Sequence, residues 1–153
     1  MKIISGGQTG VDRGALDAAL ETGIDCGGTC PIGRKAEDGI ISVIYPMTEL
    51  TSHVYTDRTR QNVIDSDATL ILHFGQLEGG TAFTRQCCVA EDKPYLVIDA
   101  AEDDQSAAVQ CILDFIERHK VRVLNVAGPR ASKVPRAHAT TKQLLTTILR
   151  KLR

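Results

Sequence analysis

Short apolar runs alternate with stretches of helical period along this chain, and most of the runs end in glycine. Lys2–Ser5, Ala68–Phe74, Pro94–Asp99 and Val121–Ala127 read as strands, and Ile24–Thr29 as a weaker one. Between them, Val11–Thr22 carries Val11, Ala15, Leu16, Ala19 and Leu20 on one helical face and stops at Gly23. Thr9 and Asp12 resemble a capping pair at its start. Further helices are predicted over Asp57–Asp65, Thr81–Glu91, a segment capped by Asp104, and residues 138–152, where Leu144, Leu145, Ile148, Leu149 and Leu152 form one stripe. Residues 31–39 read as a polar loop, and Ile40–Tyr45 as either a strand or buried coil. Strands that alternate with helices require crossover connections, hence parallel pairing. The unbroken runs Thr69-Leu70-Ile71-Leu72 and Tyr95-Leu96-Val97-Ile98 suit strands covered on both faces. The expectation is an α/β fold over residues 1–153, one doubly wound domain with a mainly parallel sheet.

The glycines point to where chemistry would sit. Gly6, Gly7, Gly10, Gly75, Gly79, Gly80 and Gly128 follow predicted strands. In an open parallel sheet the strand ends share one edge, and ligands bind along it. Glycine lets backbone N–H groups approach an anion, and a helix starting there adds free N–H groups and a positive dipole end. Gly6-Gly7-Gln8-Thr9-Gly10 and Gly79-Gly80-Thr81 therefore read as two phosphate cradles on one edge, although the same glycines also suit ordinary tight turns. No G-x-x-x-x-G-K-[ST] occurs, which disfavours a P-loop enzyme, and the first loop is not G-x-G-x-x-G, which disfavours an NAD-dependent dehydrogenase.

Polar residues near these loops are the candidate ligand contacts. Arg13 lies early in the first helix, within reach of a phosphate. Arg34 and Lys35 are candidate anion clamps, and Arg58, Thr59 and Asn62 share one helical face. Thr81 and Thr84 open a helix, where capping competes with ligand binding. Gly128 and Arg130 bring a loop rich in donors after the last strand, and guanidinium groups grip phosphate in a bidentate manner. For catalysis the candidates are Asp12, Asp38 and Asp57 as general bases; no nucleophile elbow is present.

At these loops the sequence resembles a known family. Ser5-Gly6-Gly7-Gln8-Thr9-Gly10-Val11-Asp12-Arg13-Gly14-Ala15-Leu16-Asp17, Cys30-Pro31-Ile32-Gly33-Arg34-Lys35-Ala36-Glu37-Asp38-Gly39, Arg58-Thr59 with Asn62-Val63, the run from Asp65 to Ile71, Gly79-Gly80-Thr81 and the run from Leu124 to Arg130 resemble the family named "Putative molybdenum carrier". That family is similar to molybdenum cofactor carriers and to lysine-decarboxylase-like phosphoribohydrolases. The resemblance implies a Rossmann-like fold and a phosphate-bearing small molecule at the glycine loops, either nucleotide-like or molybdenum cofactor. The related hydrolases carry P-G-G-x-G-T-x-x-E, whose acid serves N-glycosidic hydrolysis. Here Glu78 replaces the proline and Thr84 stands where the acid would follow the threonine, which favours binding over that hydrolysis. The alternative is a hydrolase acting on an N-glycosidic or phosphoester bond through another carboxylate.

Composition narrows the remaining classes. No window reaches the ~18 apolar residues of a membrane span, and the first residues lack a signal-peptide core. Five cysteines, an odd number, with no secretory signal predict free thiols and a cytoplasmic protein. Their spacing matches no zinc motif, so no metal site is expected and the thiols read as small buried apolar groups. All 19 acids lie in residues 1–117, whereas residues 118–153 hold 10 Lys and Arg and no acid. That basic segment raises nucleic acid as a partner, but three Tyr, three Phe and no Trp are too few for a base-stacking platform, so it is disfavoured. A homo-oligomer is compatible with the sequence.

Overall fold

The computed structural model describes residues 1–76 and 79–153. Its elements run β1 (Lys2–Ile4), α1 (Val11–Thr22), β2 (Asp25–Cys30), β3 (Lys35–Ala36), β4 (Gly39–Ile40), β5 (Met47–Glu49), α2 (Tyr55–Ile64), β6 (Ala68–His73), α3 (Gly79–Ala90), β7 (Tyr95–Asp99), α4 (Ser106–His119), β8 (Val123–Ala127) and α5 (Ala137–Lys151). Six strands form one sheet in the order β5-β2-β1-β8-β6-β7, every pair parallel. β3 and β4 make a separate antiparallel hairpin. The fold is α/β and Rossmann-like, as expected.

Two apolar layers cover the sheet. Ile3, Leu70, Leu72, Leu124 and Val126 face a core shared with α1, α4 and α5, in which Leu16, Ile112, Leu144, Leu145, Ile148 and Leu149 are fully buried. On the other face a smaller cluster joins Val63 of α2 to Cys87 and Cys88 of α3. α1 follows its predicted stripe, but Leu20 is 43% exposed and Ala18 is buried in its stead. Gly23 ends the helix at φ 67, a left-handed conformation that glycine adopts without strain.

Local readings shift in several places. Thr9 and Asp12 do not form a capping box: the N-cap is Gly10, with no side-chain cap. β8 starts at Val123 rather than Val121, because Lys120 adopts φ 51 and returns the Val121 N–H to the Ile116 carbonyl at 3.0 Å, closing α4. Asp104 accepts the Ser106 N–H at 2.9 Å but is not the cap of α4, whose N-cap is Gln105 with no side-chain cap bond. The segment 40–45 is mostly coil. Ile41 and Tyr45 are buried there while Val43 and Ile44 are exposed, and Pro46 is followed by the short edge strand β5.

Candidate functional site

β1, β8 and β6 are neighbours in the sheet, so the loops leaving their carboxyl ends meet. There a cleft of about 930 Å³ opens, within the size range of small-molecule pockets. The first glycine loop supplies Gly6 and Gln8, the second Gly79, Gly80 and Thr81, and the loop after β8 Gly128 and Arg130. Asp12, Arg58, Thr59, Asn62 and Thr84 also line it. The two glycine loops that were expected on one edge share one cleft.

Close backbone approaches build this rim. Gly10 lies at φ 79, and a Cβ there would fall 2.4 Å from the Pro129 carbonyl oxygen. Only glycine permits that contact, which brings the loop after β8 onto the start of α1. At Gly6 a Cβ would lie 2.8 Å from the Arg58 guanidinium. The missing side chain is what lets Arg58 enter from α2 and donate from Nη1 to the Gly6 carbonyl at 3.3 Å. At Gly80 a Cβ would meet nothing within 4 Å, so this position faces open space in the cleft.

Arg58 and Asp12 form the polar floor. The Arg58 side chain is 13% exposed, and its Nη1 sits 4.0 Å from Asp12 Oδ2. Its Nε is buried and has no hydrogen-bond partner among the described residues. A buried guanidinium donor without an acceptor is costly. Asp12 is 7% exposed and accepts the Gln8 N–H at 3.3 Å. Burial pushes its carboxyl up from 3.8 to about 6, outweighing Arg58, the Gln8 and Gly6 N–H groups and Arg13.

Other candidates are spent on the fold. Arg34 does not line the cleft. Its guanidinium donates to the carbonyls of Ile41 at 3.0 Å, Ser42 at 2.7 Å and Tyr45 at 2.8 Å, which pins the coil before β5. The backbone of Arg34 itself lies at φ 54, a strained conformation for a residue with a side chain, and these bonds hold it there. Arg13 also points away from the cleft, onto the Gly7 carbonyl at 3.0 Å and Asp38 at 2.6 Å. That ion pair holds the Asp38 carboxyl below its usual range, and Asp38 lies outside the cleft, so it is not placed to act as a base on a ligand there. Lys35 is exposed in the β3–β4 hairpin, away from the cleft lining. Gly7, Thr9 and Gly10 shape the first loop without lining the cleft. Asn62 lines it, but its amide is committed to the Thr29 backbone in both directions, at 2.8 and 3.0 Å. The Thr84 hydroxyl donates to the Gly80 carbonyl at 2.9 Å, and Glu78 lies outside the described residues.

Several lining residues escaped the sequence reading. Glu37 accepts from the Thr9 hydroxyl and from Ser132, and its Oε2 lies 3.5 Å from Arg130 Nε, so it ties the hairpin to the loop after β8. Lys133 places Nζ 3.5 Å from where a Cβ of Gly79 would stand, over the start of α3. Tyr55, Phe83 and Phe74 add aromatic surface and His73 an imidazole. Only Lys133 had a readable signal, its place in the same basic loop as Arg130.

The four buried thiols, Cys26, Cys30, Cys87 and Cys88, are all pushed above the ordinary thiol range by burial, and Cys111 is exposed. Among the described residues no helix is long and apolar enough to cross a membrane.

Comparison with known proteins adds two findings. The model of the circularly permutated YpsA SLOG family matches residues 3–149. A crystal structure described as "Putative molybdenum carrier protein" from Syntrophus aciditrophicus SB, at 1.45 Å resolution, superposes with a TM-score of 0.94. The two chains are 44% identical, covering 97% of this chain and 94% of that one. No curated protein matches.

Proposed function

We propose, from the premise that this chain belongs to the circularly permutated YpsA SLOG family, that it is a binding protein for a phosphate-bearing small molecule held in the cleft over β1, β8 and β6. The observation that carries the reading is the buried Arg58 Nε without an acceptor, on a floor that Gly6 keeps clear. The start of α3 at Gly79-Gly80-Thr81, with Lys133 above it, supplies further donors and positive charge on the opposite wall. The similar protein from Syntrophus aciditrophicus SB bears the words molybdenum carrier, which makes molybdenum cofactor one candidate cargo and a nucleotide-like molecule the other. A molybdenum-bearing cargo would be gripped through its phosphate by these same donors.

Calorimetry with nucleoside monophosphates, ADP-ribose and molybdenum cofactor tests this. One compound should bind, and Gly80→Leu, whose Cβ would meet nothing within 4 Å and whose side chain would extend into the cleft, should remove that binding. Failure of every phosphorylated compound would count against the reading.

A second reading, hydrolysis of an N-glycosidic or phosphoester bond, rests on Asp12. A cleft carboxyl raised to about 6 suits proton transfer near neutral pH. Free base or free alcohol released under single-turnover conditions, and lost in Asp12→Asn, would establish it.

A further inference from the structure

We propose that Asp12 gates Arg58 by exchanging a charge for a proton. In the free protein the Asp12 carboxylate is the counter-charge of Arg58, and an incoming anion takes that place while Asp12 takes up one proton and stays beside it as a hydrogen-bond donor. The inference rests on the reading of the cleft as an anion site and deepens it.

The geometry leads to it directly. Asp12 Oδ2 stands 4.0 Å from Arg58 Nη1, too long for a hydrogen bond, while Arg58 Nε has no acceptor. The pair is near but not closed, and an acceptor that satisfies Nε would stand next to the carboxylate. Two anions would then share one guanidinium in a site shielded from water. Repulsion of that kind is relieved by protonating the more basic partner. Asp12 is already a weak acid through burial, so the proton is available near neutral pH.

Among the described residues, the other charged groups around Asp12 and Arg58 are engaged elsewhere. Arg13, next to Asp12 in α1, is turned onto Gly7 and Asp38. His138, from the packed helix α5, spends its ring on Asp17 at 2.7 Å. Glu37 is bonded to Ser132 and Thr9. The Tyr55 ring lies over Arg58, 5.5 Å from its guanidinium carbon, and its face satisfies neither Nε nor a carboxylate; His73, Arg130 and Lys133 also line the cleft. The proton moves from solvent to an Asp12 carboxylate oxygen, no covalent bond other than O–H forms, and the net charge of the site is conserved when a monoanion binds.

Sulfate is a suitable probe, because it keeps its two charges across the range used. The Arg58 Nε–Hε signal, followed by NMR during sulfate titrations between about pH 5 and pH 8, reports binding at this site alone. In the native protein the sulfate affinity should fall about tenfold per pH unit above about pH 6, one proton per anion. Asp12→Asn, close in shape, should bind with little pH dependence and more tightly than the native protein at about pH 8. Flat affinity in the native protein, with the Arg58 signal moving, would overturn the gate while leaving the anion site intact. A pH dependence that survives in Asp12→Asn would assign the proton to another group, His73 first, and would also overturn it. An Arg58 signal that never moves, in either protein, would overturn the anion site itself.

Discussion

Replacing Asp12 by Asn isolates one term in the stability of this protein. The folded carboxyl titrates at about 6 against an ordinary 3.8, a difference of about 2 pH units. At about 1.36 kcal/mol per unit this is roughly 3 kcal/mol. The sign follows from proton counting. Between 3.8 and about 6 the folded protein holds a proton that the unfolded chain has lost, so this group makes stability fall as pH rises. Its contribution is fully present below the unfolded value and gone above the folded one. Asn cannot ionise and so does not lose it. Glu37, Asp38, Asp67, Asp99 and Asp104 are all held below their usual range and act in the opposite direction, but they are common to both proteins. The difference between variant and native protein therefore reports Asp12. Urea unfolding at a series of pH values should show Asp12→Asn gaining about 3 kcal/mol on the native protein between about pH 4 and pH 8, with the change centred below pH 6. A difference that stays flat across the series would refute the argument that burial dominates this carboxyl.

Three further outcomes follow from the same contacts. Arg34→Ala strips the donors from three carbonyls before β5 and should cost at least about 3 kcal/mol in urea unfolding, since the bonds to Ile41 and Tyr45 are partly buried and a bond to a charged donor is worth about 1.5–3 kcal/mol. Gly10→Ala places a Cβ 2.4 Å from the Pro129 oxygen at a positive φ, and should cost more than about 2 kcal/mol in the same assay. Of the five cysteines, Cys111 alone should react rapidly with a thiol reagent in the folded protein, as the other four are buried and their thiols shifted upward.

The helices and the longer strands were legible because burial on one or both faces leaves a periodic trace. Thr69-Leu70-Ile71-Leu72 announced β6, and Val11 to Thr22 announced the bounds of α1. β5 was not legible: three residues after a proline, at an edge, carry no period. The spatial order of the strands was equally hidden, since β8 comes last in the chain yet sits beside β1 at the centre of the sheet. At the cleft, glycine position carried the information. Gly6 and Gly79-Gly80 reach one site because strand ends share an edge. The arginines were harder to sort. Arg13, Arg34 and Arg58 look alike in a sequence, and only the local carbonyls decide their fate. Arg34 finds three within its own loop, Arg13 finds Gly7 and an acid, and Arg58 reaches the cleft with a donor to spare. Glu37 holds the hairpin to the loop after β8 through contacts some 95 residues apart in the chain, which no local pattern encodes.

Native mass spectrometry of freshly purified protein, paired with Gly80→Leu, addresses the cleft most directly. The native chain should carry one phosphorus-containing small molecule, and the variant, folded to the same extent, should carry none. An adduct without phosphorus, or the same adduct on both proteins, would contradict the assignment of this cleft as a phosphate-binding site.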